Sequence, residues 1–134
     1  MKSEFINLSA LTKLVENIKG NMTEGETLGT KQIAALLVLF ENKNISITEI
    51  ANQMNVSPPS VSALTEKLIK KGLIKRAYNQ LDRRVVTVNL TGSGELLASK
   101  LKKKQENIMS NLQGSLTKED IHNFNCLLNK MNSL

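Results

Sequence analysis

Residues that build disulfides, metal clusters and aromatic binding surfaces are scarce in this chain. Cysteine and histidine each occur once in 134 residues, tryptophan is absent, and aromatic residues make up 3%. A single cysteine can form neither an intrachain disulfide nor a cysteine-based zinc cluster. With so few aromatic rings, stacking on nucleic-acid bases is not expected as a binding mode. The core must therefore be built mainly from Leu, Ile and Val.

Long apolar segments and catalytic clusters are also missing. The longest apolar run covers residues 33–40, far short of the roughly 20 residues of a membrane-spanning helix. Residues 1–13 lack the apolar region of a signal peptide, so we expect a cytoplasmic protein. His122 and Cys126 could share a metal with Glu119, but packing or surface roles are the stronger interpretation. We therefore predict no enzyme activity, no cofactor and no metal site.

Positive charge is concentrated in one part of the chain. The formal net charge is +6. Residues 57–104 hold eleven basic and three acidic residues, a net charge of +8, and the remaining residues sum to −2. This asymmetry favours a polyanionic partner, although an ordinary solvated basic surface is the alternative. The length fits a single domain, residues 1–134, with a substantial core.

The spacing of apolar residues predicts a mainly α-helical chain (α+β) with one β-hairpin. The predicted elements are helices over about 3–20, 30–41, 47–54 and 58–71, strands over 73–77 and 84–90, and helices over about 92–113 and from 117 onward. Capping signals support the inner boundaries, since Ser46 precedes Glu49 by three residues and Ser57 precedes Pro58. The first and last helices have apolar stripes that nothing else covers, which favours a dimer.

The helix predicted after Ser57 has two distinct faces. Val61 centres the predicted buried face, which Leu64, Thr65 and Leu68 share. The outward face carries short residues near the N-terminus and longer charged ones beyond, namely Pro59, Ser60, Ser62, Ala63, Glu66, Lys67 and Lys70. This layout suits a helix whose N-terminal end enters the DNA major groove. An ordinary amphipathic helix with a capped end is the alternative. Free N–H groups at this end could bind phosphate, or Ser57 could simply cap it.

The hairpin strengthens the DNA interpretation. Asp82 lies beside Arg83 and Arg84 at its tip. A carboxylate there makes sense if it orients a guanidinium, because the pairing fixes the planar arginine fork. An oriented arginine at a hairpin tip can enter a narrow minor groove. The alternative is a surface ion pair of little energetic value. Helix, turn, helix and hairpin together predict a winged helix-turn-helix.

These motifs resemble the MarR family of bacterial transcription factors. The matching strings are SITEIA, NVSPPSVSAL, KKGLIKR, DRR and VNLTGSG, within about residues 28–97. The resemblance implies a homodimer, made by the first and last helices, on a pseudo-palindromic operator. It implies that Arg84 enters the minor groove, that Asp82 orients it and that Arg83 contacts the backbone. The predicted DNA-binding residues are Ser57, Pro59, Ser60, Ser62, Ala63, Lys67, Lys70, Asp82, Arg83 and Arg84.

The sequence departs from the family pattern at three places. Gly29 stands where the family often has Thr, Pro58 and Pro59 remove two N–H donors, and Leu81 is apolar near the wing tip. The function expected is a transcriptional regulator, a repressor relieved by a small-molecule effector. The expected regions are a DNA-binding region over 28–92 and helical dimerisation regions over 1–27 and 93–134. The alternative is a winged-helix protein-interaction module that does not read DNA.

Overall fold

The computed structural model describes residues 4–78 and 80–133, which form a mainly α winged helix. The helices are α1 (Leu8–Thr23), α2 (Thr30–Glu41), α3 (Ile47–Met54), α4 (Pro58–Lys70), α5 (Gly92–Leu112) and α6 (Lys118–Asn132); the strands are β1 (Ile45–Ser46), β2 (Ile74–Tyr78) and β3 (Val86–Leu90). The predicted winged helix-turn-helix with flanking helices is confirmed. Among the residues described, no helix is long and apolar enough to cross a membrane.

The two-residue strand β1 was not predicted. It pairs antiparallel with β3, placing Ile45 opposite Val88, and gives the strand order β1-β3-β2. Two residues are too few to show the alternation that identifies a strand from sequence. Two side-chain bonds fix this edge: Asn89 Oδ1 accepts from Asn44 N at 2.8 Å, and Asn89 Nδ2 donates to Asn44 Oδ1 at 2.9 Å.

The boundaries of α1 differ from the prediction at both ends. The helix begins at Leu8, because Asn7 Oδ1 accepts from Ala10 N at 3.1 Å and caps it. Residue 3, where the predicted helix begins, lies outside the described residues. The helix continues to Thr23, so residues 21–23 are helical and not part of the predicted loop. The other predicted helix boundaries agree with the structure within one residue.

The core lies between the sheet and the inner helices. Helix α2 is buried along much of its surface, as predicted, through Ile33, Ala35, Leu36 and Leu39. The largest fully buried side chains come from every layer around it: Leu36, Ile45, Ile50, Val61, Thr65, Leu68, Val88 and Leu101. This shared core holds α3, α4 and the hairpin in one fixed arrangement.

Helix α5 lies very close to the start of β2. At Gly94, an added Cβ would overlap the carbonyl oxygen of Leu73. Leu73 O also accepts from Thr91 N at 3.0 Å, and Thr91 Oγ1 donates to Gly72 O at 2.6 Å. The approach leaves room only for a hydrogen at position 94, so glycine is required by packing. Helix α5 is thereby joined to the hairpin at its first turn.

The outer helices bury little within the chain. Among described residues, α1 buries only Met22 and α6 buries none. Large apolar side chains on these segments are exposed in this single chain, including Phe5, Leu8, Leu11, Leu14, Val15, Phe124, Leu127 and Met131. Leu96 of α5 is also 78% exposed, whereas the small residues Gly94 and Ala98 are buried.

Candidate nucleic-acid interface

A tight turn joins α3 to α4. Asn55 adopts a left-handed conformation with φ of 55°, which asparagine tolerates better than most residues. Val56 N then donates to Ala51 O at 3.0 Å, which closes the end of α3. On the other side of the turn, Ser57 Oγ accepts from Ser60 N at 3.3 Å and opens α4. Both predicted caps, Ser46 and Ser57, are confirmed by their hydrogen bonds.

The buried face of α4 is the predicted one. Val61 and Leu68 are fully buried, and Thr65 is 1% exposed. The Thr65 hydroxyl donates to Ser62 O at 2.9 Å, so burying it leaves no unmet hydrogen bond. Ile50 and Ala51 of α3 lie in the same core. This packing fixes the rotation of α4 about its axis and so determines which side chains reach solvent.

All the predicted binding residues of α4 and its cap are exposed. They are Ser57, Pro59, Ser60, Ser62, Ala63, Lys67 and Lys70. The short side chains occupy the N-terminal half of the helix, and Lys67 and Lys70 occupy its last turn. The structure therefore brings these residues together on one surface. It presents hydroxyl and methyl groups at one end and ammonium groups at the other.

The N-terminus of α4 offers few backbone donors. Pro58 and Pro59 have no N–H group, and the N–H of Ser60 is bound to Ser57 Oγ. The N–H of Val61 is bound to Ser57 O at 3.2 Å. Of the two interpretations left open by the sequence, capping by Ser57 fits this arrangement. The Ser57 and Ser60 hydroxyls, 2.8 Å apart and hydrogen-bonded, stand at this end instead.

An ion pair that the sequence did not reveal links α4 to the hairpin. The carboxylate of Glu66 contacts the guanidinium of Arg76 on β2. Glu66 is the only acidic residue in α4, and its charge is balanced by this contact. Ten residues separate the partners, and they lie in different elements. Local spacing carries no signal for such a pair, since only the packing of β2 against α4 brings them together.

At the wing, Asp82 holds Arg84 by three hydrogen bonds. Arg84 Nε donates to Asp82 Oδ1 at 3.1 Å, and Arg84 Nη2 donates to Asp82 Oδ2 at 3.3 Å. The backbone N–H of Arg84 also donates to Asp82 Oδ1 at 3.0 Å. The Arg84 side chain remains 91% exposed. Asp82 and Arg84 are thus paired, as an orienting role of Asp82 would require, and neighbouring Arg83 is exposed too.

The charge of Asp82 is stabilised by this arrangement. The hydrogen bonds from the Arg84 side chain, and then from its backbone, hold the pKa of Asp82 below its ordinary value. A carboxylate that accepts bonds from a cation favours its ionised form. The pair is therefore intact at neutral pH, and the arginine fork is presented to solvent in one orientation.

His122 and Cys126 lie on the exposed side of α6. His122 Nε2 and Cys126 Sγ are 3.6 Å apart, as their four-residue spacing allows. Within the described ranges, 4–78 and 80–133, no group of three or more His, Cys, Asp or Glu side chains could hold a metal ion. The contact is therefore a local helix-surface pairing.

Residues 29–86, from α2 to the start of β3, match the sequence model of the MarR family. Over these residues the chain is similar to the MarR family. The transcriptional repressor MdtR of Bacillus subtilis is 28% identical over 116 residues, covering 87% of this chain and 75% of MdtR.

Solved MarR-type structures share the fold. In its DNA complex, MepR of S. aureus superposes with a TM-score of 0.85 at 24% identity, covering 97% of this chain and 98% of MepR. FabT of Streptococcus pneumoniae, also bound to DNA, gives a TM-score of 0.79 at 20% identity, covering 93% of this chain and 92% of FabT. The winged-helix architecture of this chain is thus shared along almost its entire length.

Proposed function

We propose that this protein is a MarR-family member and a homodimeric, sequence-specific DNA-binding transcriptional regulator that acts as a repressor. The observation that carries the proposal is the exposed face of α4 beside a wing whose Arg84 is oriented by Asp82. MdtR is a transcriptional repressor by name, and MepR and FabT have been crystallised with DNA. Bacterial operators lie in the cytoplasm, so the proposal places the protein there.

In this proposal, α4 reads the major groove from its N-terminal half. Ser60, Ser62 and Ala63 are short enough to let the helix axis approach the base edges. Hydroxyls can donate to or accept from either strand, and the Ala63 methyl can contact the methyl of thymine. Lys67 and Lys70, further along the helix, then lie near the phosphates at the groove edge. Because the first-turn N–H groups are absent or already bonded, phosphate contacts here fall to side chains.

The wing supplies the minor-groove contact. Arg84 is exposed and held in one orientation, so little conformational entropy is lost when its guanidinium enters a groove. A narrow A·T-rich minor groove attracts arginine through its negative potential. Arg83, exposed on the same turn, is placed for a phosphate. Asp82 contributes by positioning Arg84, and its carboxylate stays paired with the guanidinium.

A second copy of the chain would cover the outer helices. The exposed apolar side chains of α1 and α6 have the composition of an interface, and both helices are poorly buried within one chain. A two-fold pair presents two α4 helices, which suits half-sites about 34 Å apart, one turn of DNA. The pseudo-palindromic operator follows from that symmetry.

A small-molecule effector that relieves repression is the remaining part of the proposal. A cavity of about 510 Å³ lies between the turn after α1 and the middle of α5, where the outer helices join the winged region. Glu24 and Glu26 line one side, and Lys100 and Lys103 line the other. A ligand bound at this junction would change the spacing of the two α4 helices, and with it the affinity for the operator.

The proposal is tested by DNA-binding measurements on Arg84→Ala. A duplex obtained by selection from a randomised library with the wild-type protein serves as the probe, alongside DNA from upstream of its own gene. Losing an oriented minor-groove arginine should lower affinity for the selected duplex about 10- to 100-fold at matched salt. Circular dichroism and light scattering should show unchanged helix content and dimer mass.

Two results would contradict the proposal. Equal affinity of the wild-type protein for selected and scrambled duplexes would remove sequence-specific recognition. Unchanged affinity of Arg84→Ala for the selected duplex would remove the role assigned to the wing arginine. Gln80→Ala, an exposed polar change in the same loop, is the matched control and should bind as the wild type does.

A further inference from the structure

An apolar side chain stands at the tip of the wing. Leu81 is 99% exposed, the largest value among the exposed large hydrophobic residues of the described chain. Tyr78 at the end of β2 and Val85 just before β3 are also exposed, at 60% and 41%. The hairpin thus carries exposed apolar side chains in the same loop region as Arg83 and Arg84. Single exposed leucines are common on proteins, but this one lies in the wing loop three positions before the paired Arg84.

The fold does not need this leucine for packing. The hairpin is held by the β2–β3 pairing from Ile74 opposite Leu90 to Tyr78 opposite Val86. The tip is closed by Val85 N donating to Asp82 O at 3.0 Å and by the bonds between Asp82 and Arg84. A side chain that is 99% exposed adds almost no buried area to these contacts. The apolar side chain is exposed to solvent at the wing tip.

The minor groove of duplex DNA has the matching chemistry. Its floor carries the acceptor atoms of the bases, and arginine is drawn to that potential. Its walls are formed by deoxyribose rings, whose C–H faces are apolar. Apolar residues of other minor-groove proteins contact DNA beside arginines and lysines. A guanidinium and an aliphatic side chain in the same loop therefore suit the minor groove: the guanidinium matches the floor, and the aliphatic side chain matches the walls.

We propose that Leu81 is a minor-groove contact that packs against the deoxyribose walls beside Arg84 and makes binding depend on groove width. The inference rests on the proposed DNA-binding function. In a narrow, A·T-rich segment the two walls lie close together, so the leucine is desolvated on both sides. In a wider groove it reaches only one wall. Leu81 thereby adds to sequence preference without a hydrogen bond to any base.

An apolar contact has a distinct signature. It releases no counterions, whereas each phosphate neutralised by lysine or arginine contributes about 0.9 to the salt slope. Replacing Leu81 should therefore weaken binding equally at low and high salt. Replacing Lys67, placed here at a phosphate, should reduce the slope by about one unit. The salt slopes of the Leu81 and Lys67 variants therefore distinguish packing against the groove walls from electrostatic attraction to phosphates.

The experiment measures affinity of Leu81→Ala, Leu81→Asn and Leu81→Met for a duplex selected with the wild-type protein. Leu81→Ala and Leu81→Asn should bind about 5- to 20-fold more weakly, with an unchanged salt slope, because the apolar contact is lost. Leu81→Met should bind within about twofold of wild type, since it keeps the aliphatic surface. Gln80→Ala is the loop control. Thermal midpoints of all variants should agree, as expected for an exposed position.

A second duplex tests the dependence on groove width. It has G·C pairs in place of A·T pairs in the segment that the wing protects from cleavage in a footprinting experiment. The loss caused by Leu81→Ala should be smaller on this duplex than on the selected one. Equal affinity of Leu81→Ala and wild type for the selected duplex would overturn the inference while leaving the DNA-binding function intact. If the wild-type protein prefers no duplex, the proposed function itself fails. Equal losses on the two duplexes would refute dependence on groove width.

Discussion

At the residue scale, Asp82 and Arg84 show how a carboxylate can serve a DNA-facing surface. Two side-chain bonds and one backbone bond place the guanidinium while leaving it 91% exposed. A solvent-exposed ion pair of this kind contributes little to stability. Its effect is on geometry, since the arginine is held in one orientation before any partner binds.

The pH dependence of Asp82 tests that geometry. The bonds from Arg84 lower its pKa in the folded protein, so the pair is formed above the ordinary aspartate pKa of about 3.9 and is lost as pH falls through the lower folded value. Carboxyl chemical shifts followed by NMR should show Asp82 titrating below ordinary aspartates. In Arg84→Ala the midpoint should rise toward the ordinary value. A midpoint that does not move with the substitution would show that Arg84 is not the cause.

At the element scale, α4 and the hairpin act as one unit because Glu66 meets Arg76. Without its partner, Glu66 would place an unbalanced negative charge on the helix proposed to face DNA. The pair also ties β2 to the exposed side of α4, while the apolar core ties the elements together from the other side. The position of the wing relative to α4 therefore depends on both contacts.

A double-mutant cycle tests the role of this pair. Arg76→Ala should weaken binding to the selected duplex several-fold, because Glu66 then repels phosphates. Adding Glu66→Ala should recover most of that loss, which gives a coupling between the two positions. Fluorescence anisotropy at fixed salt provides the affinities. If the double variant binds as weakly as Arg76→Ala, then Arg76 acts by contacting DNA itself and not through Glu66.

The junction of α5 with the hairpin depends on Gly94 having no side chain. Gly94→Ala should destabilise the fold by about 1–3 kcal/mol, because the new methyl overlaps Leu73 O. The midpoint of thermal unfolding should fall by several degrees. Gly92→Ala, two residues earlier in the same helix, meets no atom within 4 Å and is the matched control. Equal midpoints for the two variants would show that the junction adapts to the added carbon.

At the scale of the whole molecule, the two outer helices differ from the rest of the chain in how little they are buried. The winged region has a continuous core, whereas α1 and α6 present apolar side chains to solvent. A cavity of about 290 Å³ between α1, α5 and α6 is lined largely by apolar residues, among them Leu14, Ile18 and Phe124. These helices are loosely packed on each other within one chain. In the proposed homodimer, a second copy related by symmetry would cover them.

Charge placed on α6 tests this assembly. Leu127→Glu puts a carboxylate on a 57% exposed apolar position, and it should shift the protein toward monomer because an interface would have to bury that charge. Size-exclusion chromatography with light scattering reports the mass. As dimerisation weakens, the affinity for a two-half-site duplex should also fall, while the helix content stays the same. Lys130→Glu, an exposed charged position on the same helix, is the control. A dimeric Leu127→Glu would place the interface elsewhere.

The sequence by itself determined the features that depend on neighbouring residues. Helices α2 and α3 lie where their apolar spacing and caps predicted, and Ser57 caps α4 as predicted. The pairing of Asp82 with Arg84 was also predictable, because they are only two positions apart in the sequence. The error at α1 is local too, since Asn7 provides a cap that the apolar stripe alone did not indicate.

Only the tertiary structure decided the contacts between distant segments. Strand β1 exists because β3 lies beside it, Glu66 is neutralised because β2 packs near α4, and Gly94 is required because Leu73 O lies against it. Periodicity and caps report on residues within a few positions of each other. Contacts between elements depend on how the shared core positions the helices and strands relative to one another. Local sequence patterns do not predict those positions.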